Sequence, residues 1–450
     1  MKGRNIIVSM LVICAIAVVV QFQVCLAQTE SSDNVTIRMA LEVVGRTDLY
    51  RELFNEFQKE TGIRVVIDVL PEAHLHEKVL TDFAIGKGSY DIVSIDSMFT
   101  PQYSEAQWLL PLDEYIKKDN IDVYELFKPA LIDILRGFDG KIYGFPYYGV
   151  ATIAVYRKDV FEEKGISVPT TMQEWWDAAA KTTDPPGIYG FCASGQPGQG
   201  ANVFRWAPFF RSMGGIWFDE DWHVKVNNEA GIRATSFYTG MLKNFGPPGV
   251  AGYDFTEVAV AMQQGKIATM FDATDWPAIF EDPAKSKVAG KLGYFNIPKD
   301  KRREGEIWAA GLCISTYSNH KEAAWEVLKW MNSKEIISRL AWDFHYHDIS
   351  RPFIATDPRA NVLPWAEVAA ESFELANPDL RPRIIEWNEI GDILGAHISA
   401  VTVGKDAKAE LDIAAREMEK VLMLAGYYDP KRKAEKGRYE PESGKVVVKY

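Results

Sequence analysis

The feature that most restricts the fold is an alternation between strand and helix patterns in the N-terminal part of the chain. Three short apolar stretches are typical of buried strands: Val35–Leu41, Ile63–Leu70 and Tyr90–Ile95. Between them, Asp48–Thr61 and His74–Ala84 carry apolar residues at helical spacing. The order strand, helix, strand, helix, strand predicts a parallel sheet with right-handed crossovers. We therefore expect an α/β fold.

The ends of these predicted strands indicate where a ligand would bind. Ligands of open α/β sheets bind beyond the carboxyl ends of the strands, where helix N-termini point at the crevice. Here those ends lead into Glu42–Arg46, Pro71–Glu72 and Asp96–Phe99, and each segment carries a carboxylate. A carboxylate at such an edge can accept hydrogen bonds from the polar groups of a ligand. Glu72 and Asp96 are therefore predicted ligand-binding residues.

The first residues have the layout of a secretory signal. Met1–Ala27 has a short basic start, an apolar run over Ile6–Val20 and small residues at its end. The run is shorter than the roughly 20 residues that span a bilayer. We expect cleavage near Ala27 and a soluble periplasmic product. A lipid anchor on Cys25 is less favoured, because a bulky valine precedes this cysteine.

Charge and cysteine content restrict the partners. The formal net charge is −12, which argues against nucleic acid or an anionic membrane surface as a partner. Cys192 and Cys313 remain after processing, without CxxC or zinc-like spacing. They permit either one disulfide in an oxidising compartment or two buried thiols. No cofactor and no metal are expected.

The chain lacks the common catalytic motifs. It has no GxxxxGK[ST] loop, no GxGxxG step between a strand and a helix, no HExxH and no GxSxG. We therefore expect a binding protein and not an enzyme. A secreted glycoside-acting enzyme stays as an alternative, because paired carboxylates serve that reaction. The HxH pairs at His74 and His345 leave a metal-capturing protein as a second alternative. Composition alone also permits an exported adhesion or scaffold module.

Several blocks of sequence resemble one protein family. They include YDIVSIDSMFTPQYSEAQWLLPLDEYI over Tyr90–Ile116 and DGKIYGFPYYGVATIAVYRKD over Asp139–Asp159. RWAPFFRSMGG, MQQGKIATMFDATDW and IWAAGLCIS follow in the order expected for that family. Together they resemble the extracellular solute-binding proteins of ABC importers, in the sugar-binding branch that includes maltose-binding protein. Ser89-Tyr90 departs from the Gly-Pro-like pair that is usual before Asp91.

The resemblance implies two hinged α/β lobes with a ligand cleft between them. It implies capture of a monosaccharide, polyol or small oligosaccharide, delivery to membrane permease subunits, and a monomer. The first crossing between the lobes is expected at Tyr147–Val150. The implied boundaries are residues 35–146 and 277–333 for lobe 1, residues 147–276 and 334–430 for lobe 2, and residues 431–450 for a charged tail that is either mobile or a strand pair.

The same resemblance assigns residues to the ligand site. Trp276 follows a strand and an acidic turn, where the family often presents a stacking ring. The alternative for each implied aromatic residue is a place in the core, and for the implied arginine an ordinary salt bridge. The ligand-binding residues implied in addition to Trp276 are Tyr148, Phe204, Trp206, Asp272, Asp275, Ala310, Gly311, Arg351 and Trp387.

Overall fold

The computed structural model describes residues 35–43, 46–430 and 432–448, without the side chains of residues 72, 73, 433 and 434. The expected signal segment 1–27 and the alternative anchor at Cys25 lie outside these ranges. The strands are β1 Thr36–Glu42, β2 Arg64–Leu70, β3 Ile92–Asp96, β4 Phe145–Arg157, β5 Thr269–Ala273, β6 Leu292–Phe295, β7 Ile307–Ile314, β8 Arg438–Glu440 and β9 Lys445–Val447.

In the described part of the chain, seven of these strands form one sheet and β8 pairs with β9. The order across the large sheet is β2, β1, β3, β7, β4 and β5, and β6 also pairs with β4. β1 pairs in parallel with both β2 and β3. The predicted α/β fold with a parallel N-terminal sheet is therefore confirmed.

Helices cover the sheet and fill the rest of the described chain. None of them combines the length and apolarity that crossing a bilayer requires, within the ranges given above. The helices are α1 Thr47–Thr61, α2 Glu72–Ala84, α3 Thr100–Glu105, α4 Asp113–Lys118, α5 Val123–Leu126, α6 Pro129–Asp133, α7 Lys158–Glu163, α8 Met172–Thr182, α9 Asn202–Ser212, α10 Glu229–Phe245, α11 Phe255–Gln263, α12 Trp276–Phe280, α13 Lys321–Met331, α14 Lys334–Trp342, α15 Pro352–Ala355, α16 Ala366–Leu375, α17 Trp387–Thr402, α18 Ala407–Ala425 and α19 Lys433–Lys436.

Local sequence signals explain where several helices begin and end. Thr171 and Glu174 form a capping box at the start of α8, each side chain accepting from the other residue's backbone N–H. Asp254 and Glu257 make the same arrangement before α11. α1 ends at Gly62, whose φ of 74° lies in the left-handed region that glycine adopts without strain. The predicted end of this helix is confirmed.

β4 connects the two halves of the fold. Its first part, Phe145–Ala151, pairs with β7, and its last part, Thr152–Arg157, pairs with β5 and β6. The ladder between β4 and β7 contains a bulge in which Tyr147 is the extra residue. We call the half around β1, β2, β3 and β7 the first lobe, and the half around β5 and β6 the second lobe. The bulge lies within the expected crossing at Tyr147–Val150.

Two segments belong to a different lobe from the one that the sequence predicts. β6 pairs with the last part of β4, so it belongs to the second lobe, although residues 277–333 were assigned to the first. Arg339 on α14 forms a salt bridge of 2.8 Å with Glu56 on α1. The start of the 334–430 segment therefore packs on the first lobe. The chain crosses between the lobes repeatedly, and local periodicity carries no information on which side it returns to.

The C-terminal residues form a hairpin that is docked on the second lobe. β8 and β9 pair antiparallel, so the described part of segment 431–450 is the strand pair and not the mobile tail. The side chain of Tyr439 is fully buried. Its ring centroid lies 5.2 Å from that of Phe218 and 5.4 Å from that of Trp222. The hairpin is therefore part of the packed structure.

The two described cysteines are free. Cys313 lies in β7, and Cys192 pairs through a backbone bridge with Met270 of β5. Both thiols are buried. Of the two possibilities that the sequence left open, the structure shows two buried thiols.

Candidate functional site

The carboxyl ends of the parallel strands meet at one edge of the sheet. β1 ends at Glu42, whose side chain accepts a hydrogen bond of 3.4 Å from Ser94 Oγ. β3 ends at Asp96, which accepts a bond of 2.8 Å from the backbone N–H of Met98. Glu72 begins α2 beside this edge, but its side chain lies outside the described part. Its predicted role stays a prediction.

Asp96 is a half-buried carboxylate with several polar neighbours. Burial raises its pKa, and the Met98 N–H, the charge of Arg381, the Trp308 indole and the His76 ring each offset part of that rise. A carboxylate supported in this way accepts hydrogen bonds from ligand hydroxyls at neutral pH. Asp96 therefore has the surroundings that its predicted role requires.

β7 places Asp96 near Tyr148. In the sheet, Ala310 pairs with Asp96 on one side and with Tyr148 on the other. Ala310 is fully buried, and a Cβ added to Gly311 would lie 2.6 Å from the Leu135 side chain. The small size of these two residues therefore serves packing within the first lobe. This corrects the expectation that they form a ligand-facing step.

Three partly buried rings form an apolar wall across the two lobes: Tyr148 on β4, Trp308 on β7 and Trp276 at the start of α12. The ring centroids of Tyr148 and Trp308 are 5.2 Å apart, and those of Trp276 and Phe280 are 6.2 Å apart. The wall rests on buried residues from both lobes: Val150, Phe204 and Ala273. Such rings suit the apolar C–H face of a carbohydrate. The structure thus brings together the predicted residues Tyr148, Phe204 and Trp276.

Asp272 acts through Arg205. The Arg205 guanidinium binds the carboxylate at both oxygens, with distances of 2.6 and 3.2 Å. The backbone N–H of Ala273 also donates to Asp272 Oδ1. Because Asp272 is fully buried, we expect it to hold Arg205 in place and not to touch a ligand. The guanidinium carbon of Arg205 lies 4.8 Å from the Phe204 ring centre and 5.8 Å from that of Phe255.

Asp275 lies at the end of the acidic turn and is an exposed residue. Desolvation by the neighbouring protein raises its pKa to about 6, and the nearby carboxylate of Asp272 adds to this effect. Arg205 and the backbone N–H of Trp276 offset part of the rise. This carboxyl group therefore changes charge near neutral pH.

Arg46 and Asp348 form a buried ion pair where β4 crosses between the lobes. Their Nη2 and Oδ2 atoms are 2.9 Å apart. Arg46 also donates to the backbone carbonyl of Tyr147, and its guanidinium carbon lies 4.3 Å from the ring centre of Tyr346. Burial alone would raise the pKa of Asp348, but Arg46 and Arg351 lower it below its ordinary value. The pair is therefore ionised at neutral pH.

Arg351 is buried, and its guanidinium group is bound by other groups of the protein. Its side chain is 1% exposed and donates to the carbonyl of Pro146 at 3.0 Å and to Asn332 at 2.9 Å. The guanidinium carbon lies 4.2 Å from the Phe127 ring centre, and Asp348 is its ionic partner. Of the two roles considered for Arg351, this geometry favours the salt bridge over direct ligand contact.

Trp206 and Trp387 lie in the core of the second lobe. Both are fully buried. The indole N–H of Trp206 donates to Thr235, and that of Trp387 donates to Gln199. Both rings pack against Trp217, with centroid distances of 5.8 and 5.1 Å. The expectation that they line the cleft is therefore corrected: no ring surface is available for a ligand.

A third buried ion pair lies beside the apolar wall, and the sequence did not indicate it. Arg381 Nε and Glu306 Oε2 are 3.1 Å apart, and both side chains are almost fully buried. Burial raises the pKa of Glu306 to about 7, although the charge of Arg381 opposes this rise. The residues join the site from positions far apart in the chain, so no local pattern could reveal the pair.

Among the described residues, no three His, Cys, Asp or Glu side chains converge in a way that could hold a metal ion. The His76 ring stacks on Phe99 at a centroid distance of 4.0 Å and its Nδ1 lies 3.2 Å from the hydroxyl of Tyr103. His347 packs at 5.3 Å from Trp342. Packing against neighbouring aromatic rings therefore accounts for the positions of both histidines.

Sequence comparison identifies the family. The family described as bacterial extracellular solute-binding protein matches residues 45–336, which is more than half of the chain. The chain belongs to this family. The resemblance noted from the sequence blocks is thus confirmed, and so is the two-lobed α/β fold.

Several relatives cover most of the chain. The mannitol-binding protein of Pseudomonas aeruginosa is 27% identical over 419 residues, with 86% of this chain and 94% of the relative covered. A solute-binding protein from Agrobacterium radiobacter K84, solved with ribitol, is 30% identical with a TM-score of 0.78, covering 86% of this chain and 99% of its own. One from Agrobacterium vitis S4, solved with D-mannitol, is 28% identical with a TM-score of 0.78, covering 88% and 100%.

Proposed function

We propose that this solute-binding protein captures a neutral polyol or small carbohydrate in the cleft between its lobes. The wall formed by Tyr148, Trp308 and Trp276 would cover the apolar face of the ligand. Asp96 from the first lobe and Asp275 from the second would bind its hydroxyls. The observation that carries the proposal is this meeting of carboxylates and partly exposed rings from both lobes.

The charges around the cleft favour a neutral ligand. Each guanidinium group beside it has a carboxylate partner within the protein: Arg46 with Asp348, Arg205 with Asp272, and Arg381 with Glu306. Asp96 and Asp275 add negative charge that these pairs leave uncompensated. An anionic ligand would therefore meet net repulsion, whereas hydroxyl groups can donate to the carboxylates.

The relatives support the polyol class within this family. One is named for mannitol, and two are solved with ribitol and with D-mannitol. We infer that the ligand is an alditol or a sugar of similar size. Delivery to the permease of an ABC importer follows from the role of the family, and we propose that no chemical conversion takes place. A glycoside-acting enzyme remains the alternative, because the cleft presents carboxylates from both lobes.

We also propose that the protein acts in the periplasm as a soluble monomer after removal of the signal segment. The intact mass of the exported protein should place its N-terminus near Gln28. An N-terminal acylated Cys25 would replace the soluble form with an anchored one.

Calorimetric titration with D-mannitol, ribitol and maltose tests the proposal. We expect saturable binding of at least one alditol, and recovery of that alditol unchanged after long incubation. A ligand that binds only the folded state also raises the melting temperature. Saturable binding of an anionic sugar acid with no binding of the neutral compounds would refute the proposed class, and steady formation of product would favour the enzyme.

A further inference from the structure

The guanidinium of Arg381 has an unused donor. Arg381 lies between α16 and α17, and its side chain is 1% exposed. Nη1 donates to the carbonyl of Gln199 at 3.2 Å and to its side-chain oxygen at 2.7 Å. Nε lies 3.1 Å from Glu306 Oε2 in the ion pair but makes no hydrogen bond. Nη2 also makes no hydrogen bond within the described structure. A buried donor that is left unbonded costs free energy, so it calls for a partner.

The position of Arg381 indicates where that partner would come from. Its guanidinium carbon lies 5.1 Å from the ring centre of Phe204, the buried base of the apolar wall in the second lobe. Its charge acts directly on Asp96 at the end of β3 in the first lobe. The guanidinium therefore lies between the lobes, next to the residues that we propose as the ligand site.

The C-terminal hairpin contacts the segment that carries Arg381. Asn377 Nδ2 donates to the carbonyl of Ser443 at 3.1 Å. A Cβ added to Gly444 would lie 2.3 Å from the carbonyl oxygen of Asp379, so the two backbones are in direct contact. Lys436 Nζ donates to Glu386 at 2.9 Å. These contacts before and after Arg381 hold its backbone in place.

We propose that Arg381 is a specificity-determining residue of this site, and that its Nη2 donates a hydrogen bond to a hydroxyl oxygen of a neutral polyol. This inference rests on the proposed polyol-binding function. A hydroxyl fits better than a ligand carboxylate because the guanidinium already has an acidic partner in Glu306. A ligand anion would place a third negative group beside Glu306 and Asp96. The hydroxyl accepts the bond and adds no charge.

The test compares Arg381→Met with a matched arginine variant. Arg157→Met is the control, because Arg157 is also paired, with Asp159 at 2.6 Å, but lies at the far end of β4. By calorimetric titration we expect Arg381→Met to weaken D-mannitol binding roughly 10- to 100-fold, the loss of one charged hydrogen bond. Arg157→Met should stay within about twofold of the unmodified protein, the effect of a site with no ligand contact.

Deoxy ligands identify the hydroxyl. D-Mannitol has twofold symmetry, so its 1,6-, 2,5- and 3,4-dideoxy analogues together probe all of its hydroxyl groups and cannot recover a lost contact by binding in the reversed orientation. The analogue that lacks the partner of Arg381 should lose less affinity in Arg381→Met than in the unmodified protein, whereas the other two analogues should lose the same in both. If, for all three analogues, the loss of affinity from the missing hydroxyls simply adds to the loss from Arg381→Met, the inference is overturned. Tighter binding of D-mannonate than of D-mannitol would also overturn it.

The outcomes separate this inference from the proposed function. If the unmodified protein binds neither D-mannitol nor ribitol, the proposed function fails and the inference falls with it. If it binds D-mannitol and Arg381→Met binds equally well, only the inference fails. Should Arg381→Met not fold, Arg381→Lys decides the matter, because it retains the charge opposite Glu306 but has no second nitrogen. Unchanged affinity and deoxy profile in Arg381→Lys would likewise overturn the inference.

Discussion

Two tryptophans of the second lobe should respond to truncation in opposite ways. Trp276 is a partly buried ring on the cleft wall, whereas Trp206 is fully buried and stacks on Phe210 at a centroid distance of 4.7 Å. We expect Trp276→Ala to weaken D-mannitol binding by about 1 to 3 kcal/mol, the value of a stacked aromatic contact. Trp206→Ala should instead lower the free energy of unfolding by about 3 to 5 kcal/mol, because it leaves a cavity in the core.

Two measurements on each variant check this pair of expectations. Calorimetric titration gives the dissociation constant, for which 1 to 3 kcal/mol corresponds to roughly a 5- to 150-fold change. Urea unfolding without ligand gives the stability, and Trp276→Ala should lose about 1 kcal/mol or less because only part of its ring is buried. If Trp276→Ala unfolds easily but the folded fraction binds with normal affinity, Trp276 is a core residue and the proposed wall is wrong.

Three further predictions follow from the same geometry. The Asp275 carboxyl, which faces Asp272, Arg205 and Tyr346, should lose its charge as pH falls through about 6. Affinity for D-mannitol should then decrease below pH 6. Because the pKa of this carboxyl is higher in the folded protein than in the unfolded chain, protonation stabilises the fold, and that stability is lost as pH rises through about 6. Titrations from pH 5 to 8 that show no difference between the unmodified protein and Asp275→Asn would contradict this. Tyr439→Ala should cost about 3 to 5 kcal/mol in urea unfolding because the ring is fully buried, and a loss below about 1 kcal/mol would mean that the hairpin is not part of the cooperative unit. Small-angle scattering should give a smaller radius of gyration with saturating D-mannitol than without it, and an unchanged radius would count against a hinged cleft.

Much of the first lobe could be predicted because its signals are local. The strands at Val35, Ile63 and Tyr90 are short and apolar, and the helices between them have regular spacing. Parallel pairing then places Asp96 at the carboxyl edge of the sheet, where we propose that the ligand binds, without further information. The crossing strand was also recognisable, and the bulge at Tyr147 falls within the range expected for it.

The arginines of the site could not be predicted, because their partners are far away in the chain. Arg205 and Asp272 are 67 positions apart, and Arg46 and Asp348 are 302 positions apart. The error at Trp206 has a different cause. Every residue of α9 is buried, including Arg205 and Arg211, so polarity does not mark a solvent-exposed face of this helix. Nothing in the pattern therefore distinguishes Phe204, beside the proposed cleft wall, from Trp206 in the core.

The bulge at Tyr147 explains how a continuous strand can act as the hinge. An extra residue in a ladder is unpaired, and the strand can bend there. Arg46 donates to the carbonyl of Tyr147 and Arg351 to that of Pro146, so buried guanidinium groups satisfy the backbone where the ladder is irregular. Asp348 pairs with both arginines. Arg46 also packs over the ring of Tyr346, whose phenol lies close enough to the Asp275 carboxylate for their charges to interact. Bending at the bulge therefore moves groups that adjoin the proposed ligand site, and a ligand that contacts them in the closed form shifts the hinge by its differential affinity for that form.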